Sequence, residues 1–170
     1  MIIDELLDLV DENGNVIAIM ERTHVFAQGL KNFRLAIILI KDVNNDRFVV
    51  RRAHDKPQYP GALCHVGGCV QSGETFEQGF LRELHEETGI DATHMNYSLL
   101  GYLNPFIDNC NGYAAVYEVT VDDRNIQYNQ DDFAEVFWLS PSQIKELIDG
   151  DDAMVTPNFP LLYKRFILID

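Results

Sequence analysis

The chain has 170 residues, 46% of them apolar and 11% aromatic, and a formal net charge of −14. That size fits one domain with a sizeable core, and that apolar content excludes general disorder. The charge repels a phosphate backbone, so a nucleic-acid polymer or an anionic membrane is not expected as a partner; an anionic small molecule would need cations where it meets the protein.

The amino-terminal stretch carries acidic residues instead of the basic segment of a secretory signal. Residues 6–10 and 16–20 read as strands, joined through Asn13-Gly14, whose tolerance of positive φ suits a tight hairpin. The apolar run at residues 35–40 is far too short to span a bilayer, and residues 34–41 read instead as a buried strand. Asn44-Asn45-Asp46 makes a turn into a partner strand at 48–51, and residues 62–66 make a further short strand after Tyr59-Pro60-Gly61.

Thr75 followed by Gln78 is a capping box, and Gly89 can close the helix that it opens, predicting a helix over 76–88. Residues 97–106 and 113–121 are expected as long strands and 136–139 as a short one. Ser140-Pro141 opens a helix to about residue 148, and Thr156-Pro157 repeats that signal before a last helix ending near 168. The expectation is one domain over 1–170, with residues 1–30 as a hairpin extension packed on it. The odd set Cys64, Cys69 and Cys110 lacks metal-type spacing and suits reduced thiols, which makes the cytoplasm the expected compartment.

The chemistry concentrates in residues 68–90, GCVQSGETFEQGFLRELHEETGI. On a helix, Glu83, Glu86 and Glu87 fall within an arc of roughly 100°. Carboxylates so close repel one another unless a cation joins them, and hard oxygen ligands suit Mg²⁺, with Mn²⁺ able to substitute. Arg82 is placed to hold a carboxylate through a bidentate pair. Gly79, on the same arc, leaves the carboxylates unshielded.

This segment resembles the Nudix box, G-x5-E-x7-R-E-U-x-E-E-x-G-U with U aliphatic, matching at Gly68, Glu74, Arg82, Glu83, Leu84, Glu86, Glu87, Gly89 and Ile90. From average residue usage, roughly 10⁻⁷ chance matches are expected in such a chain. Beyond the box the chain is similar to Nudix proteins related to isopentenyl-diphosphate isomerase, from LVDENGNVIAIMER through PGALCHVGG to EVFWLSPSQI.

The resemblance implies an α/β fold: an α/β/α sandwich with a mixed sheet and a loop-helix-loop catalytic box. It implies Mg²⁺-dependent hydrolysis, by water attack on phosphorus, of a diphosphate linkage in a small nucleoside diphosphate derivative or nucleotide. Glu83, Glu86 and Glu87 become metal ligands, Glu83, Glu86 and Arg82 catalytic residues, and Glu74 a brace for Arg82. Arg51 or Arg52, at the end of a strand, and Gly67 or Gly68 are candidates for substrate binding. Glu135, near Trp138, with Asp131 and Asp132 before it, is the candidate general base. Where the isomerases carry a catalytic cysteine this chain has Gly67, and where they carry metal histidines it has Cys69 and Phe33. Isomerase chemistry and a non-catalytic sensing module are the two other readings. Loops 104–111 and 122–132 are expected to choose the substrate, and Phe106, Tyr113 and Tyr117 either stack on a base or fill the core.

Overall fold

The computed structural model describes residues 4–150 and 154–169. The ends of the expected 1–170 unit, and residues 151–153, lie outside the described residues.

The chain opens with a hairpin of β1 (Leu6–Val10) and β2 (Val16–Glu21), a two-stranded sheet of its own. Its turn departs from the expected one. Of Asn13-Gly14 only Gly14 has positive φ, and the loop is held by the Asp11 carboxylate, which accepts from the Asn13 and Asn15 amides at 2.9 Å each. Helix α1 (Arg22–Ala27) then follows, unforeseen because Glu21 before it makes no side-chain cap. Leu7, Leu9 and Val25 of this hairpin-helix unit bury against Phe33 and Cys69. A buried pair between Arg34 and Asp8 at 2.6 Å ties it to the main sheet.

Among the described residues that main sheet has seven strands. β3 (Arg34–Asp42) lies at its centre, parallel to β8 (Tyr113–Val121) over its whole length. β7 (Tyr97–Leu103) pairs with β8 on the outer side. On the other side β4 (Arg47–Arg52) turns back from β3 and pairs with both β5 (Leu63–Cys64) and β9 (Phe133–Leu139). The single strand expected at 62–66 is divided: the chain breaks at His65, and β6 (Val66–Cys69) pairs with β3 instead. Glycines at two of its four positions hide β6 in the sequence, since they signal a loop.

Helix α2 (Phe76–Thr88) has the expected capping box and ends at Gly89 in the left-handed conformation. It buries Phe80 and Leu84 on one face of the sheet, where Phe80 stacks on Tyr117 at 4.5 Å between centroids. Tyr117 is thus a core residue. Gly79 also serves packing: a Cβ there would stand 2.9 Å from Val70, so the missing side chain lets the helix approach the loop before it. The opposite face is covered by α3 (Pro141–Asp149), through Ile144, and by α4 (Asn158–Phe166), through Phe159, Leu162 and Tyr163. α3 has the expected cap at Ser140. Before α4, however, Thr156 directs its hydroxyl to Cys64 Sγ, and Pro157 takes the cap position. Helices on both faces of a mixed sheet give the expected α/β/α sandwich. No helix among the described residues is long and apolar enough to cross a membrane.

Candidate active site

Arg82, in the middle of α2, organises the acidic segment. Its Nε and one terminal nitrogen grip both oxygens of Glu74 at 2.7 and 2.9 Å, and the latter nitrogen also donates to the Cys69 carbonyl at 2.9 Å. Its other terminal nitrogen reaches Glu83 at 2.6 Å and Glu86 at 3.2 Å. Burial works to raise the pKa of Glu74, but the Arg82 bonds and the Gln71 amide outweigh it, so its carboxyl is held below the ordinary range. Glu74 thus stays ionised and fixes Arg82, which fixes Glu83.

Glu87 lies one turn beyond Glu83 and accepts a hydrogen bond from the Gly67 amide at 2.7 Å. Burial pushes the pKa of Glu87 well up, with the Gly67 bond opposing it and neighbouring Glu83 adding to it. Glu83 is also raised, by burial more than Arg82 lowers it. Glu86 is the exposed member of the three.

All three glutamates line one cavity of about 550 Å³, together with Gly67, Gly68, Arg52, Lys56, Arg22, Glu5 and Asp132. Gly68 faces Glu83 so closely that a Cβ there would lie 2.5 Å from the carboxyl carbon. Among the described residues no three acidic, histidine or cysteine side chains already converge as a closed metal cage; Arg82 draws Glu83 aside and Gly67 pins Glu87. The donor chemistry nonetheless fits a hard divalent cation: two carboxylates desolvated against each other, a third within reach, and room at Gly68 that a side chain would fill.

Not every predicted site residue reaches this cavity. Arg52 does, with its Nε donating to the Gln58 carbonyl at 2.9 Å. Arg51 and Glu135 do not. Side chains alternate along β4, so Arg51 points to the α3 and α4 face, where it pairs with Glu135 at 2.7 Å and donates to the Gly61 carbonyl. The assignment of Arg51 to substrate and of Glu135 as base is therefore corrected. Asp132 is the acidic residue from that part of the chain that lines the cavity, in an ion pair with Lys56. Exposed pairs such as Arg51–Glu135 contribute about 1 kcal/mol or less. Arg51→Ala and Glu135→Ala are each expected to leave kcat within about twofold of the parent, as steady-state assays would show.

Sequence reasoning missed Glu5, Arg22 and Lys56. No local motif marks them; they converge only because the hairpin and the loop after β4 fold over the end of α2. Cys64 is buried in β5, as expected for a strand residue, and all three cysteines are free thiols. His85 is exposed on the far side of α2.

This geometry has counterparts among known proteins. The NUDIX domain family matches residues 32–159. The chain belongs to the Nudix family. An uncharacterized Nudix hydrolase of Nostoc sp. is 39% identical over 146 residues, covering 85% of this chain and 86% of that protein. A Nudix hydrolase of Deinococcus radiodurans is 32% identical over 151 residues, 88% of this chain and 87% of its own. The crystal structure of DR0079 from Deinococcus radiodurans superposes with a TM-score of 0.86 at 28% identity, covering 96% of this chain and 99% of that one. As a Nudix hydrolase the chain acts on an acid-anhydride linkage in a phosphate-containing substrate. Its hairpin and α1 precede the family-matched segment, yet Glu5 and Arg22 from that unit line the cavity.

Proposed function

We propose that this Nudix hydrolase cleaves the diphosphate linkage of a small nucleoside diphosphate derivative or nucleotide, with water attacking phosphorus and a phosphate or nucleoside monophosphate leaving. The observation that carries the reading is the meeting, in one cavity of a chain of net charge −14, of Glu83, Glu86 and Glu87 with the cations Arg22, Arg52 and Lys56. The acidic group suits Mg²⁺ or Mn²⁺; the basic group suits a polyanion.

Glu83, Glu86 and Glu87 would hold the metal, with a backbone carbonyl of Gly67 or Gly68 as a further donor. A bound divalent cation neutralises the diphosphate, polarises phosphorus and lowers the pKa of water. The protein's own groups supply the rest. Arg52 and Lys56 bind phosphate oxygens and withdraw charge from the bridging oxygen as the anhydride bond breaks. Glu86, exposed at the cavity, accepts the proton of the attacking water. Arg82 orients Glu83 and opposes the rise that burial imposes on it, a positioning role.

Isomerase chemistry lacks its thiol here. At Gly67, where the isomerases carry cysteine, a Cβ would stand 2.2 Å from the Ala36 carbonyl oxygen, so the backbone admits no side chain. Nearby Cys69 cannot replace it, because burial pushes its thiol up to about 12.

The test is a release assay with Mg²⁺ over nucleoside di- and triphosphates, ADP-ribose, dinucleotides, nucleotide sugars, coenzyme A and isopentenyl diphosphate. Turnover of one nucleotide class, abolished by EDTA and restored by Mg²⁺, is expected. Conversion of isopentenyl diphosphate without phosphate release would overturn the reading, as would silence across the panel.

A further inference from the structure

A second cavity, of about 350 Å³, adjoins the acidic one and shares with it Arg22, Arg52, Gln58, Gly67, Gly68 and Cys69. The two share a wall, and their remaining linings are unlike. The first is walled by carboxylates and cations. The lining of the second includes three aromatic rings, Phe26 of α1, Phe33 and Tyr59.

Tyr59 is set there at some cost. It is 44% exposed and has φ +50, a left-handed conformation rare for a bulky residue and characteristic of functional positions. A chain of hydrogen bonds holds it. Buried Asn158 accepts from the Asn111 amide at 2.8 Å and donates to the Asn111 carbonyl at 2.7 Å. Asn111, locked in this way, donates from its carboxamide to the Tyr59 hydroxyl at 3.1 Å. An exposed ring is thereby fixed at the pocket by residues from two distant parts of the chain, the pre-organisation expected of a recognition group. At the junction of the two cavities stands Arg22, held by Glu5 at 2.9 Å and lying over the Phe26 ring at 5.5 Å.

We propose that this second pocket receives the nucleobase of the substrate, stacked against Tyr59, and that Arg22 clamps the phosphate nearest to it. The inference rests on the nucleotide-hydrolase reading for the position of the phosphates and adds the place of the base and the residues that hold it. A flat ring suits walls that are themselves aromatic, and stacking tolerates any base. The pocket is also polar at its edges. His65 turns Nδ1 to the Val66 carbonyl at 3.0 Å, which leaves Nε2 as an acceptor, and Asn111 also lines the pocket. A base has donors and acceptors around its rim to meet these groups. A prenyl tail, a hydrocarbon with no donors or acceptors, would leave them unpaired, which is costly in a desolvated site. The substrate-choosing surface thus lies on α1 and the loop before β5, with Asn111 its one member from the segment 104–111, and none from 122–132.

Calorimetry with non-hydrolysable probes separates this proposal from the reading beneath it. The probes are the α,β-methylene analogues of ADP, CDP, GDP and UDP, and methylenediphosphonate as the base-free counterpart, all with Mg²⁺. The wild-type protein is expected to bind at least one nucleoside analogue ten- to a hundredfold more tightly than methylenediphosphonate, the span that stacking of one base contributes. Tyr59→Gly removes the ring and fits the left-handed backbone without strain, so its fold is kept. It should erase that preference and leave methylenediphosphonate binding unchanged. Tyr59→Phe keeps the ring and should stay within about threefold of wild type, whereas Arg22→Ala should weaken both probes. Equal affinity of the wild type for base-bearing and base-free probes, or a preference that survives Tyr59→Gly, overturns the pocket assignment. Neither result touches hydrolysis, which fails separately as absence of turnover in the release assay.

Discussion

Replacing Glu87 with glutamine should lower kcat about a thousandfold and, in the absence of metal, make the protein more stable at neutral pH. The first effect follows from taking one of three carboxylates from the proposed metal set; a thousandfold is about 4 kcal/mol, within the several kcal/mol that a catalytic cation supplies. The second follows from burial. Glu87 has its pKa pushed well above the ordinary 4.5 because its charge is desolvated. A carboxyl raised in the folded state favours folding fully below its unfolded value, and that advantage is lost as pH rises through the folded value. Metal-free wild-type protein therefore loses stability as pH rises through that raised value. The glutamine variant does not, and its new carbonyl can still accept from the Gly67 amide.

Melting temperatures in EDTA at pH 5 and pH 8 would show the gap between Glu87→Gln and wild type widening toward pH 8, in the mutant's favour. Added Mg²⁺ should close the gap by stabilising only the wild type. A mutant that loses turnover and also melts lower at every pH would mean that Glu87 supports the fold and not a cation.

The adjacent glycines Gly67 and Gly68 should respond to alanine in opposite ways. At Gly67 the new Cβ would meet the Ala36 carbonyl oxygen at 2.2 Å and the Ile37 Cα at 3.2 Å, both backbone atoms of the central strand β3, and φ is +133. Neither neighbour can yield, and the conformation itself is strained for any side chain. Gly67→Ala is expected to cost about 3 kcal/mol or more, a fall in Tm of roughly 6–12 °C for a domain of this size. At Gly68 the clash is with the Glu83 carboxyl, the far end of a flexible side chain, at 2.5 Å. That carboxyl can swing away, so Gly68→Ala should keep its Tm within a few degrees and lose about 10- to 100-fold in kcat through a misplaced ligand. Thermal melts and steady-state kinetics on both variants decide it. Equal loss of stability in the two would show that β6 is held by something other than these contacts.

How much of this was legible in the sequence depended on whether the deciding interaction was local. The helix carrying Glu83, Glu86 and Glu87 was legible because Thr75, Gln78 and Gly89 settle its ends within the same few residues. The order of strands and helices suggested a sheet flanked by helices, and the resemblance of the box and its flanks to the Nudix family implied the sandwich. Arg51 and Arg52 were legible as a pair, but alternation alone says only that they part, and which one meets the acidic cavity depends on where α2 packs. Glu135 stood out as an acid near Trp138, yet its place in β9 turns it to the other face, while Asp132, on the preceding loop, lines the cavity. Arg22, Glu5 and Tyr59 were invisible for a stronger reason. Each belongs to a segment whose own sequence signals nothing, and each gains its role from a neighbour far along the chain: Glu83 across from the hairpin, Asn111 across from the Tyr59 loop.

The parallel pairing of β3 with β8 has a consequence for the order of assembly. It joins residues from 34 onward with residues from 113 onward, so the sheet centre cannot close until most of the chain is available. Pairings so distant in sequence are slow to form, since the loop-closure entropy is lost before the contacts repay it. Helix α2 lies between the two strands in sequence and packs Phe80 on Tyr117 of the later one. Its glutamates therefore take their final places only after β8 has docked. Cation binding should accordingly come last in folding, as a late addition to a finished scaffold, and chelation should silence the enzyme without unravelling it.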